Sequence, residues 1–84
     1  MNPQKLLIKA LSSPSSLRFT EICTLARACG FHLSRIKGSH HIFAHSNIKE
    51  LLNLQDVKGK AKPYQVKQLL GLIERYNLFP GNEE

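Results

Sequence analysis

Arg35-Ile36-Lys37-Gly38-Ser39-His40-His41-Ile42-Phe43-Ala44-His45 reads as two short β-strands joined by a tight basic turn. Gly38 is the residue of this stretch that takes a positive φ without a Cβ clash, so the turn belongs there. Phe31 to Ile36 feeds into it with aromatic and β-branched residues among polar ones, and Ile42 and Phe43 lie in the outgoing run. Three of the four histidines of the chain, His40, His41 and His45, fall just after the turn. An imidazole, with an unperturbed pKa of about 6.5, both accepts and donates protons near neutral pH. Beside fixed cations, such a ring is a candidate for cleaving a phosphodiester.

Working outward, the strands follow a helix. Phe19-Thr20-Glu21 opens it, with Thr20 as the expected cap and Glu21 favourable in the first turn. Ile22, Cys23, Leu25, Ala26 and Cys29 form an apolar face, and Gly30 supplies the left-handed C-terminal residue. Strands are expected at 31–36, 40–45 and 50–54, with Ser46-Asn47 turning the second into the third; short connections imply an antiparallel meander. Gln55 to Lys62 is a charged loop, and Pro63 stands where a last helix begins. Val66, Leu69, Leu70, Ile73 and Tyr76 mark that helix's apolar stripe. Gly71 in its interior costs about 1 kcal/mol relative to alanine, which suggests a close neighbour.

Upstream, Asn2-Pro3 caps a short amphipathic helix carrying Leu6, Leu7, Ala10 and Leu11, and Ser12-Ser13-Pro14-Ser15-Ser16 ends it. This helix either packs on the domain or docks elsewhere. The layout is therefore α-α-β-β-β-α, an α+β domain with a helix layer on one face of a three-stranded antiparallel sheet. Residues 1–17 are expected as an N-terminal extension, 18–80 as the domain, and 81–84 as a tail.

With 84 residues, the chain has room for one core, and an apolar fraction of 42% suffices to fill it. The formal charge is +6. Between Arg27 and Lys67 stand eight bases (Arg27, Arg35, Lys37, Lys49, Lys58, Lys60, Lys62, Lys67) against two acids (Glu50, Asp56), so that segment alone carries +6. Such a field attracts a polyphosphate. Cys23 and Cys29 fall on different faces of the helix, about 9 Å apart along its axis, and cannot bridge each other. Unbridged thiols suit a reducing compartment, no stretch has membrane-spanning length, and Lys5 and Lys9 interrupt any leader-like run; the cytoplasm is the expected location, with no membrane association.

Strand parity limits what the histidines can do together. On a regular strand from residue 40, His40, Ile42 and Ala44 share one face while His41, Phe43 and His45 share the other. His40 and His41 are therefore not an acid/base pair on one phosphate. His40 is nearer the turn, where Gly38 and Ser39 shape the approach and Lys37 reaches an anion. RNA carries its own nucleophile in the 2′-hydroxyl, so a single general base is worth about 10²–10⁴-fold, and adjacent cations stabilise the developing phosphate charge. His41 and His45 are separated by about 13 Å of strand, too far for a shared metal, so neither metal nor cofactor is expected.

From Phe19 to Leu78 the chain resembles the HicA family of toxin–antitoxin mRNA interferases. The likeness rests on an ordered set: a helix ending in Gly30-Phe31, then Arg35-x-Lys-Gly-Ser-His-His-Ile-Phe, a third strand, and Lys58-Gly59-Lys60-Ala61-Lys62-Pro63 leading into a Leu-Leu helix. The resemblance implies a double-stranded-RNA-binding-domain-like fold, RNA cleavage with a catalytic histidine matching His40, and neutralisation by a cognate HicB-like antitoxin. The toxin alone is expected to be a monomer. The family's Pro and then His after the third strand stand here as Gln55 and Val57, so a second imidazole is missing. Residues 1–17 have no counterpart in the family pattern.

Two readings stay open on these residues. In the first the chain is an endoribonuclease: His40 is catalytic, Gly38 and Ser39 shape the site, and Arg35, Lys37, His41, Lys58, Lys60 and Lys62 hold RNA. In the second, the same scaffold holds RNA or a protein without cutting, as Gln55 and Val57 in place of the family's Pro and His would suit. A DNA-reading role for the last helix is weaker, because its stripe is committed to the core and only Lys67, Gln68 and Arg75 are left for a groove.

Overall fold

The computed structural model describes residues 2–81, so the acidic end of the expected 81–84 tail lies outside the described residues. The order of elements is α1 (Pro3–Ser12), a single 3-10 turn (Pro14–Ser16), α2 (Phe19–Ala28), β1 (His32–Lys37), β2 (His40–Ala44), β3 (Leu52–Gln55) and α3 (Pro63–Tyr76). The three strands form one antiparallel sheet in the order β1-β2-β3. The expected α+β architecture, consistent with a double-stranded-RNA-binding-domain-like fold, is the observed one.

Register decides the two faces, because residues paired across an antiparallel ladder project to the same side. Leu33, Phe43 and Leu52 align across the sheet, as do Ile36, His41 and Leu54. Phe43, Leu52 and Leu54 are completely buried with Ile22, Leu25, Val66, Leu69 and Ile73 of α2 and α3, so this is the helix-covered face. The opposite face presents the rows Lys37-His40-Gln55 and Arg35-Ile42-Asn53. The ladder slips at Ser34, which has no partner on β2. This bulge puts Leu33 and Arg35 on opposite faces although they are two residues apart.

The helices carry the same core. Asn2 Oδ1 accepts the N–H groups of Gln4 (2.8 Å) and Lys5, capping α1 as expected. Leu6 and Ala10 of α1 are buried with the rest, so this helix packs on the sheet-and-helix body. The Lys9 ammonium meets the Glu21 carboxylate at 3.0 Å, joining α1 to α2.

Four local expectations are corrected. Arg18, not Thr20, occupies the N-cap of α2: Phe19 is already helical and buried, and Glu21 Oε1 reaches back to the Arg18 N–H at 2.9 Å. β3 runs from Leu52 rather than from Glu50, because Glu50 turns aside to accept the Tyr76 hydroxyl at 2.6 Å. In α3 the buried set includes Leu72 and Gln65, with Leu70 and Tyr76 only half-buried. Gln65 is the one polar residue of the described core, and its Oε1 satisfies the Gln55 N–H at 2.8 Å. Finally, Gly71 is exposed, and a Cβ there would meet no atom within 4 Å. No neighbour in the chain requires it.

Candidate functional site

The β1–β2 connection is a two-residue hairpin at Gly38-Ser39. Gly38 sits at φ +63° while Ser39 keeps a negative φ, the pattern of a turn that demands glycine at its first central position. Ser39 then ties the turn to the far side of the sheet. Its carbonyl accepts the Asp56 N–H at 3.1 Å, and its hydroxyl accepts from the Gln55 side-chain amide at 3.2 Å. The β1–β2 turn and the start of the β3–α3 loop are thus held side by side.

That loop is folded. Val57 and Lys60 exchange both backbone hydrogen bonds around Lys58-Gly59, with φ of 53° and 82° at the two central residues, while Asp56 Oδ1 accepts the Gly59 N–H at 2.7 Å. Gly59 carbonyl accepts the Phe19 N–H and Leu17 carbonyl accepts the Ala61 N–H, so the hairpin is pinned to the entrance of α2. Lys58 and Lys60 project from it exposed, whereas Lys62 is half-buried at the N-cap of α3 with its ammonium 5.8 Å from the Tyr64 ring centre.

His40 is half-buried on the face that carries no helix. Its Nδ1 lies 3.1 Å from Asn53 Oδ1. A carbonyl oxygen only accepts, so a neutral ring bonded in this way carries its proton on Nδ1 and presents the Nε2 lone pair. Lys37 is the direct partner of His40 on β1, and Arg35 lies one row further along the same face. Gln55 is its partner on β3. The geometry thus joins one imidazole, one orienting amide and two fixed cations on an open surface.

The other histidines point elsewhere, as parity requires. His41 faces the helices, its ring edge-on to Phe19 at 4.7 Å and its Nδ1 3.4 Å from the Ser39 carbonyl. His45 packs edge-on to Phe31 at 5.2 Å, and its Nδ1 accepts the Asn47 N–H at 3.1 Å. No group of three or more His, Cys, Asp or Glu side chains stands together among the described residues. Burial pushes the Cys23 thiol up to about 11, far from a nucleophile's range. Val57, in the loop beside the turn, is 40% exposed and carries no proton to give.

Asn53 was missed by sequence reasoning. The signal was there: Leu52-Asn53-Leu54-Gln55 alternates with period two, and once the leucines point to the core both amides share the face of His40.

Residues 19–74 match the model of the HicA toxin of bacterial toxin–antitoxin systems. The chain belongs to the HicA family. No curated protein and no solved structure matches it. HicA membership makes the chain a toxin-type component of such a system and implies an antitoxin as its partner. The match covers α2, the whole sheet, the Lys58–Lys62 loop and most of α3, and leaves α1 outside. Among the described residues, no helix is long and apolar enough to cross a membrane.

Proposed function

We propose that this HicA-family chain is an endoribonuclease acting on mRNA in the cytoplasm and held in check by a HicB-like antitoxin. The observation that carries the reading is the His40 ring, fixed through Nδ1–H to Asn53 Oδ1 with Nε2 open on the cationic face. In the proposed step Nε2 takes the proton of a ribose 2′-hydroxyl, the resulting oxygen attacks the adjacent phosphorus, and the P–O bond to the next nucleotide's 5′-oxygen breaks. Products are a 2′,3′-cyclic phosphate and a 5′-hydroxyl. Lys37 and Arg35 stabilise the charge that gathers on the phosphate oxygens. Water protonates the leaving oxygen, since Val57 stands where a second imidazole would serve.

Gly38 and Ser39 shape the approach to the ring. Lys58, Lys60 and Lys62 draw the flanking phosphates toward the hairpin, and His41, on the helix-covered side of the central strand, is left to a contact beside the turn. Family membership supports the reaction class.

The test is cleavage of an end-labelled mRNA fragment by the purified chain. His40→Ala should lower the rate by 10²-fold or more while RNA binding persists, and the products should carry a cyclic phosphate. Reversing Lys58, Lys60 and Lys62 to Glu should weaken binding and flatten its salt dependence. A wild-type chain that binds RNA and leaves it whole would support a non-catalytic binding module, the reading that Val57 favours.

A further inference from the structure

On the helical side, away from the His40 face, α1 and α3 enclose an apolar groove of about 490 Å³. Leu7 and Leu11 form one wall, Leu70 and Ile73 the other, Phe79 closes an end, and Gly71 lies in the lining. Leu11 is 63% exposed and the neighbouring Ile8 64%. The groove's two charged residues are Lys67 and Glu74.

We propose that, in place of the monomer expected from the family resemblance, a second copy of this chain occupies the groove, packing α3 antiparallel against its own counterpart about a two-fold axis at Leu70-Gly71. Three observations select this occupant. Lys67, Gly71 and Glu74 lie on one stripe of α3, at spacings of four and three residues. The midpoint of Lys67 and Glu74 falls between Leu70 and Gly71, so an antiparallel partner centred there sets Lys67 of each copy against Glu74 of the other. That is the self-complementarity an isologous interface requires.

Gly71 is the second. It is an exposed glycine inside a 14-residue helix, unneeded by any atom of its own chain. At a helix crossing, the missing side chain is what lets two backbones come close.

Charge is the third. The groove carries one cation and one anion on a chain of net +6. An acidic partner would be drawn instead to the face of Lys37 and Arg35 or to the lysine hairpin. A neutral apolar groove is where two cationic copies meet at least electrostatic cost. The arrangement leaves both His40 faces outward, and it does not depend on the proposed reaction.

The experiment is sedimentation velocity of the full chain from 5 to 500 µM (roughly the range over which modest interfaces associate). The wild type should move from 9.5 kDa to twice that mass with rising concentration. Lys67→Glu and Glu74→Lys each place like charges at two points and should weaken association about tenfold. The double exchange K67E/E74K should restore it, a rescue that only a second copy of the same chain provides. Gly71→Gln should abolish the dimer. Because glutamine favours helix more than glycine does, circular dichroism should show that variant folded; Leu11→Gln gives a second break outside α3. A wild type that stays at the mass of one chain throughout, a double exchange that fails to rescue, or a Gly71→Gln variant that dimerises as before would each overturn the proposal.

Discussion

Replacing Gly30 by alanine tests how the end of α2 is held against the end of β2. Gly30 follows the C-cap Cys29 at φ +100°, and a Cβ there would lie 2.6 Å from His45 Nε2. Two costs follow. The backbone conformation itself costs an L-residue about 1–3 kcal/mol. The clash is relieved only by moving the His45 ring, which gives up the hydrogen bond from Asn47, worth about 1 kcal/mol, and the edge-on contact with Phe31, worth about 0.5–1.5 kcal/mol. Alanine returns about 0.4–1 kcal/mol by narrowing the unfolded ensemble. The net is a destabilisation of about 3 kcal/mol, and at roughly 4–8 °C per kcal/mol for a chain this size the melting temperature should drop by at least 10 °C. Thermal unfolding followed by circular dichroism measures it. The cycle with His45→Ala separates the two costs: removing the ring should recover the steric part and leave the backbone part. A Gly30→Ala chain melting like the wild type would refute the whole account, and strictly additive effects in the cycle would refute the role given to His45.

Other predictions use different probes. The Glu21 carboxyl is held below its usual 4.5 by the Arg18 N–H and then by the Lys9 ammonium. Its stabilisation is therefore complete above about pH 4.5 and fades as pH falls through the lower folded value. Glu21→Gln should cost about 1 kcal/mol at pH 7 and remove part of the acid limb of a urea-midpoint profile; equal pH slopes for the two proteins would contradict it. Asn53→Ala, by releasing the His40 ring, should cut the RNA cleavage rate about tenfold with little change in KM, and Asn53→Gln should not rescue it, because the longer side chain moves the carbonyl off Nδ1; a change confined to KM would place Asn53 in binding instead. Cys23, with its thiol at about 11, should resist a thiol-reactive dye at pH 8 in the native chain and react when urea unfolds it. Rapid native labelling at Cys23 would show that α2 does not seal it.

Most of the fold was legible because it depends on local rules. The glycine turn at Gly38, the Asn2-Pro3 cap and the alternation of β2 each follow from short-range sterics, and parity alone separated His40 from His41. What escaped depends on partners distant in sequence. Ser34 carries no bulge signal, since neither glycine nor proline marks it, yet the slip there decides that Leu33 faces the core while Arg35 does not. Arg18 displaced Thr20 as the cap because Phe19 is buried and its N–H is taken by Gly59, some forty residues on. The loop from Gln55 to Lys62 was recognised by charge, but its pinning to the entrance of α2 has no local signature. Asn53 became visible only once the register of β3 was known.

The bulge at Ser34 has one more effect. β1 is an outer strand, and its free side could template a further strand from any passing chain. At Ser34 the spacing of its amides breaks, so an added strand would fall out of step after two residues on one side and meet Arg35 and Lys37 on the other. A protein that leaves one face of its sheet uncovered must still keep from polymerising edge to edge, and along β1 a single unpaired serine interrupts the template.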